Sequence, residues 1–274
     1  MKPPPLFSSA LRIFDLSLGE MLWSRRSVFL GVLLGGPVVM ALGLRAVWTL
    51  RPAIMQVNGA PITGTTIFGG MIWGLFINII VPLLGVFYGT SLIADEVDDK
   101  TITYLFTRPI PRRAILIGKY LAYLACTILL VLPSVMLVFF LVVPIGSGTI
   151  AEGFPSLLTD FGMLAIGLAA YGAVFALVGT RMKRPLIVGL VYAFGWEPAV
   201  VFFPGYLKRL TVAYYLQALM RHQMPQDSAA SLLFQVLREV PSVTTSLVGL
   251  GVIIATALWL AGLAVERREY VLDQ

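Results

Sequence analysis

The sequence predicts an all-α integral membrane protein, a single domain (1–274) of six apolar helices with both ends in the cytoplasm. Three observations predict it. Apolar residues fill 58% of the 274 positions and charged residues only 12%, about half the usual share in a soluble domain. A soluble core from a chain this long would need a charged surface around it, and that surface is missing. The charges that remain are gathered in clusters, separated by apolar runs long enough to cross roughly 30 Å of hydrocarbon as helices. Finally, the basic residues fall unevenly between alternate clusters.

The first predicted element precedes the apolar runs. Over residues 8–26, Leu11, Phe14, Leu18, Met21 and Leu22 recur at helical spacing, while Arg12, Asp15, Glu20 and Arg26 lie mostly off that stripe. This is an amphipathic helix with Ser8 or Ser9 available as its N-cap. It is expected to lie on the inner leaflet, or else to extend the first span into the cytoplasm. Pro3, Pro4 and Pro5 and a polar stretch delay the first apolar run to about residue 28, so no cleavable signal peptide is read there.

The charge gaps place spans near 27–44, 70–93, 120–143, 160–180, 185–204 and 243–264. Gly35, Gly36, Pro37, Pro82 and Pro133 would break soluble helices, but neighbouring helices re-satisfy the backbone in a membrane. Gly31 with Gly35, and Gly85 with Gly89, have the spacing of close-packing faces.

Between the second and third spans, residues 95–119 form the most charged part of the chain. Asp95, Glu96, Asp98 and Asp99 come first, and Arg108, Arg112, Arg113 and Lys119 come last. The run from Thr101 to Thr107 between them is long enough for a short helix, stopped at Arg108 and Pro109. Acids before such a helix and bases after it complement its dipole. The apolar Ile102, Leu105 and Phe106 on a cytoplasmic helix would want a partner surface. Residues 204–242 form the longest outer segment. There Tyr206, Leu210, Tyr214 and Leu219 mix with Lys208, Arg209 and Arg221, which suggests short helices at the outer interface.

Orientation follows from Lys and Arg. With the N-terminus inside, the cytoplasmic segments hold 14 of the 20 basic residues, and the inverted arrangement would reverse that bias. The net charge of +6 is therefore first a topology signal. It is not gathered into the stripe that a nucleic acid would need, so no nucleic-acid partner is expected.

Catalytic readings are thin. The single histidine, His222, cannot build a two-histidine zinc motif, and no metal site is expected. Gly118 and Lys119 lack the rest of a phosphate-binding loop. Cys126 has no second cysteine to pair with. The chain reads as a non-enzyme whose energy would come from elsewhere. Glu197 is the one acid well inside a predicted span, about 18 Å along the helix from its cytoplasmic end. A charge at that depth is costly. It either satisfies backbone donors freed near Pro198 or pairs with an outer Lys or Arg, or it belongs to a translocation path or gate.

The loop residues Glu96, Thr101, Leu105, Pro109, Arg112, Gly118 and Lys119 resemble a motif of the permease subunits of ABC-2-type ABC transporters, with their type V exporter-like fold. Lys100 stands where that family often has glycine. The amphipathic N-terminal helix, the acid-containing fifth span with Trp196 and Glu197, the long outer segment and the tail at Glu266, Arg267 and Arg268 extend the resemblance over the whole chain. The resemblance implies a dimer with a second permease copy or paralogue in the cytoplasmic membrane. It also implies a separate ATPase subunit that holds ATP and Mg, so no cofactor is expected in this chain. The segment 98–107 would be a coupling helix docked on that ATPase. Glu96, Asp98, Lys100, Thr101, Ile102, Leu105, Phe106, Arg108, Pro109, Arg112 and Arg113 would be the coupling residues. Three functions stay open: an ATP-driven exporter permease of a lipid, drug or peptide, a transmission subunit of the same fold that drives an outer partner, or an ATP-independent helical transporter.

Overall fold

The computed structural model describes residues 6–51, 56–57, 60–61, 63–98, 111–146, 148–200, 206–220 and 241–267. Almost all of them are helical. An N-terminal helix α1 (Leu6–Leu22) is followed, after a turn at Trp23 and Ser24, by α2 (Arg25–Leu50). A two-residue antiparallel ladder, β1 (Gln56–Val57) with β2 (Ala60–Pro61), leads into the long apolar helix α3 (Gly64–Glu96). Then come α4 (Arg112–Val142), α5 (Ile150–Arg181), the shorter α6 (Pro185–Val200), a 3₁₀ turn (Tyr206–Leu210), α7 (Val212–Leu219) and α8 (Val243–Arg267).

Five of these helices are long and apolar enough to cross a membrane: Val28–Leu50 within α2, and α3, α4, α5 and α8. α6 is apolar but spans only about 24 Å. Five of the six expected spans thus coincide with helices long enough to cross, with shifted ends, while the described part of the one expected near 185–204 is shorter. α2 runs past Arg45 to Leu50, and α5 starts at Ile150 rather than near residue 160. In α5 the extra turns follow from Ile150, Phe154, Leu157 and Leu158, which continue the helical period upstream of Asp160.

α3 and α5 form the centre. Their most apolar windows are 61% and 56% buried, against 22% for α2 and 28% for α8, which present apolar flanks outward as lipid-facing helices do. Glycine sets the central spacing. A Cβ on Gly85 would lie 2.8 Å from the Tyr171 Cβ, and one on Gly89 would lie 3.0 Å from the Phe175 Cβ. The Gly85 and Gly89 pair thus forms the close-packing face its spacing predicts. Gly31 and Gly35 have nothing within 4 Å and do not pack this way.

Polar side chains stitch the apolar helices together. Tyr123 donates to the Leu168 carbonyl at 2.9 Å and Tyr120 to the Ala169 carbonyl at 2.8 Å, tying α4 to α5. Ser134 of α4 donates to the Leu34 carbonyl at 2.8 Å. That bond ties α4 to α2 one residue from the Leu33 carbonyl, which Pro37 cannot serve. α3 contains two wide-turned π-helical stretches, Ile72–Ile80 and Gly85–Gly89, and α6 contains one at Tyr192–Trp196.

α1, expected to rest on lipid, also packs on protein while Leu11 and Leu16 stay exposed. Its most extensive contact is with α4. Ser9, Ala10 and Ser17 are buried, and Leu18, Met21 and Leu22 of the apolar stripe pack against the core. Gly118 permits this approach, since a Cβ there would sit 2.6 Å from the Ala10 carbonyl oxygen. Small residues on both helices let the backbones come close, and α1 becomes part of the bundle.

Candidate functional site

The charged loop connects the end of α3 to the start of α4, and the structure holds both of its roots. Glu96 sits in the last turn of α3, and Lys119 lies two turns inside α4. Their side chains meet at 2.5 Å, only 20% and 10% exposed. In that setting the pair is both an ion pair and a charge-assisted hydrogen bond. α1 closes over it. Ser17, Glu20 and Met21 of α1 and Ser91 and Asp95 of α3 line, with Glu96 and Lys119, a cavity of about 330 Å³. Three helices therefore converge on the junction: the carboxylate from α3, the ammonium from α4 and the cover from α1.

A second tie fastens the same end of the bundle to the C-terminal helix. Arg113 meets Glu266 of α8 at two points: Nη2 donates to Oε2 at 2.7 Å, and Nε lies 2.7 Å from Oε1 as an ion-pair contact. Arg112 donates to the Glu266 carbonyl at 3.2 Å. This fork is about 40% exposed on both sides, so it is a weaker fastening than the Glu96 pair.

The predicted coupling residues are thus divided. Glu96, Arg112 and Arg113 lie at the roots of the loop and are all engaged. Asp98 ends the helical stretch Ser91–Asp98. Lys100, Thr101, Ile102, Leu105, Phe106, Arg108 and Pro109, and with them the expected helix over 98–107, lie beyond Asp98 and outside the described residues. Lys119 was visible in the sequence as a base at the end of the loop, but only the fold makes it the partner of Glu96. Glu266 carried no sequence signal of contact with Arg113.

At the other end of the bundle, Glu197 is buried, 4% exposed. It receives the Tyr171 hydroxyl from α5 and, at 3.0 Å, the backbone N–H of Val212, the first residue of α7. A helix start has N–H groups without intrahelical partners, and a carboxylate is the natural acceptor there. Glu197 thus caps α7 from the preceding helix, α6. The backbone donor it meets belongs to the start of α7. The helix does not break at Pro198 but continues to Val200, and the π-helical stretch Tyr192–Trp196 just before it takes up the proline. α7 is wedged further: Tyr215 lies against Gly249 of α8 and Leu216 against Gly167 of α5.

Sequence reading missed a second buried acid. Asp160 is 2% exposed, nearly three turns inside α5. The charge gap alone puts a span boundary at Asp160, and the periodic residues upstream of it are the signal that α5 begins earlier.

Residues 27–202, well over half of the chain, match the family described as ABC-2 family transporter protein. The matched region runs from α2 through α6 and contains Glu96, the loop, Lys119 and Glu197. A search of curated proteins finds no match.

Proposed function

Because this chain belongs to the ABC-2 transporter family, and is thus a multi-pass permease of an ABC transporter, we propose that it couples ATP hydrolysis by a separate ATPase subunit to export of a substrate across the cytoplasmic membrane. The Glu96–Lys119 pair carries this reading. A loop that is to pass on a push needs stiff roots, and a buried charge pair under α1 supplies them where α3 and α4 meet. Force applied to residues 99–110 would then move α3, α4 and α1 together.

In this reading the loop, including Lys100, Thr101, Ile102, Leu105, Phe106, Arg108 and Pro109, docks on the ATPase, which binds ATP and Mg. A second permease copy or paralogue completes the path. The packing of α1 on the start of α4 and the contact of Glu266 with Arg113 support a reading with both ends of the described chain at the loop end of the bundle. Chain ends on one side require an even number of crossings. Five helices are long enough, so α6 would be the sixth crossing, completed by residues that follow Val200. The basic bias puts the loop end in the cytoplasm.

The Glu197 link favours a second reading, in which α6 drags α7 and drives an outer partner without passing a substrate. The test of the leading reading is to replace Leu105 and Phe106 with charged residues. Loss of ATPase co-purification and of stimulated hydrolysis is expected, and retention of both would overturn the docking claim.

A further inference from the structure

We propose that the groove between the loop-side ends of α5 and α8 is a binding site for an anionic phospholipid. The groove has a volume of about 500 Å³. Arg181 and Arg267 stand on its rim, each in the last turn of its helix and each exposed. Neither is ion-paired with a described residue. Below them the wall is apolar: Trp259, Leu260, Leu263 and Ala264 of α8.

The two halves of the groove lie at different depths. Trp259 precedes Arg267 by just over two turns, so it sits about 12 Å further along the helix axis, away from the end of the bundle. An arginine pair at the end of a span lies at headgroup level, where guanidinium groups bind phosphate oxygens through fixed forks of donors. An apolar wall with a 60% exposed indole below that level meets acyl chain. A basic rim over an apolar slot between two spans fits one amphiphile with a negative head. Lys183 and Arg184, exposed just after α5, add to the positive field without lining the slot.

A second copy of the chain is the poorer occupant. In a twofold contact the same patch faces itself, so Arg181 and Arg267 would approach their own copies, and like charges would oppose the contact. A lipid phosphate brings the opposite charge. The inference does not depend on ATP coupling or on which side of the membrane is inside.

The test uses the full-length chain in symmetric phosphatidylcholine vesicles. A minor fraction of the lipid is either phosphatidylglycerol or phosphatidylcholine with acyl chains brominated at mid-chain, since bromine quenches an indole on contact. Subtracting the signal of W259F isolates Trp259. The expected result is severalfold stronger quenching of Trp259 by the brominated anionic lipid. The preference should fall with added salt and vanish in R181Q/R267Q. Equal quenching by the two lipids in the unmodified chain overturns the site, whether or not any variant folds. So does a preference that survives in R181Q/R267Q.

Discussion

The Lys119 ammonium lies 2.5 Å from the Glu96 carboxylate and binds the end of α3 to the start of α4 beneath α1. Both groups are largely withdrawn from water. Removing one therefore leaves the other buried without its charge partner, which costs more than the pair itself contributes. E96Q and K119M should each destabilise the protein by about 2 kcal/mol or more. The double variant should lose less than the sum of the two. A double-mutant cycle on thermal unfolding in detergent measures this, and strict additivity would show that the pair does not interact.

The Arg113–Glu266 fork offers the contrast. At 2.7 Å against 2.5 Å it is slightly longer, and it is about 40% exposed, so solvent and salt screen it. R113A should change stability by no more than about 1 kcal/mol, and the change should shrink further in high salt. A shift as large as that of E96Q would mean that exposure is not what separates the two ties.

Glu197 accepts from Tyr171 and the Val212 N–H, and Tyr192 and the Ala213 N–H also reach it, so its replacement strands several donors. E197L should cost about 2 kcal/mol and loosen α7, and Y171F about 1 kcal/mol. E197Q keeps a carbonyl oxygen for one of the donors and should fall between E197L and the unmodified chain. Proteolysis within residues 206–220 on intact vesicles reads the loosening directly. Cleavage in E197L no faster than in the unmodified chain would overturn the capping role.

Packing of α1 on α4 turns on Gly118. In G118I the added branch meets the Ala10 carbonyl and Ile13, and neither backbone can yield cheaply. A loss of about 1–3 kcal/mol is expected. A cysteine pair placed across α1 and α4 should cross-link less readily than in the unmodified background. G35A, with nothing within 4 Å of its Cβ, should be neutral and serves as the control.

Much of this architecture was legible in sequence because a membrane imposes strong one-dimensional rules. A charge inside a lipid-facing helix is costly, so the gaps from Arg51 to Asp95 and from Pro241 to Val265 mark helices without reference to any neighbour. The same logic picked out Glu197 as exceptional and the Glu96–Lys119 segment as the place where the chain leaves lipid. Where the rule met a buried acid it misled, as at Asp160, because a charge was read as an edge when a partnered interior could hold it.

The sequence by itself determined which runs form long apolar helices, where the charged loop lies and that Glu197 is out of place. These follow from hydropathy and helical period, which are local. Only the tertiary structure decided which groups meet. Lys119 finds Glu96, Arg113 finds Glu266, and Glu197 reaches the start of α7. α1 lies against protein because Ala10 and Gly118 are small on facing surfaces. Such pairings depend on the distance and rotation between helices far apart in the chain, and the helical period of each one alone does not specify them.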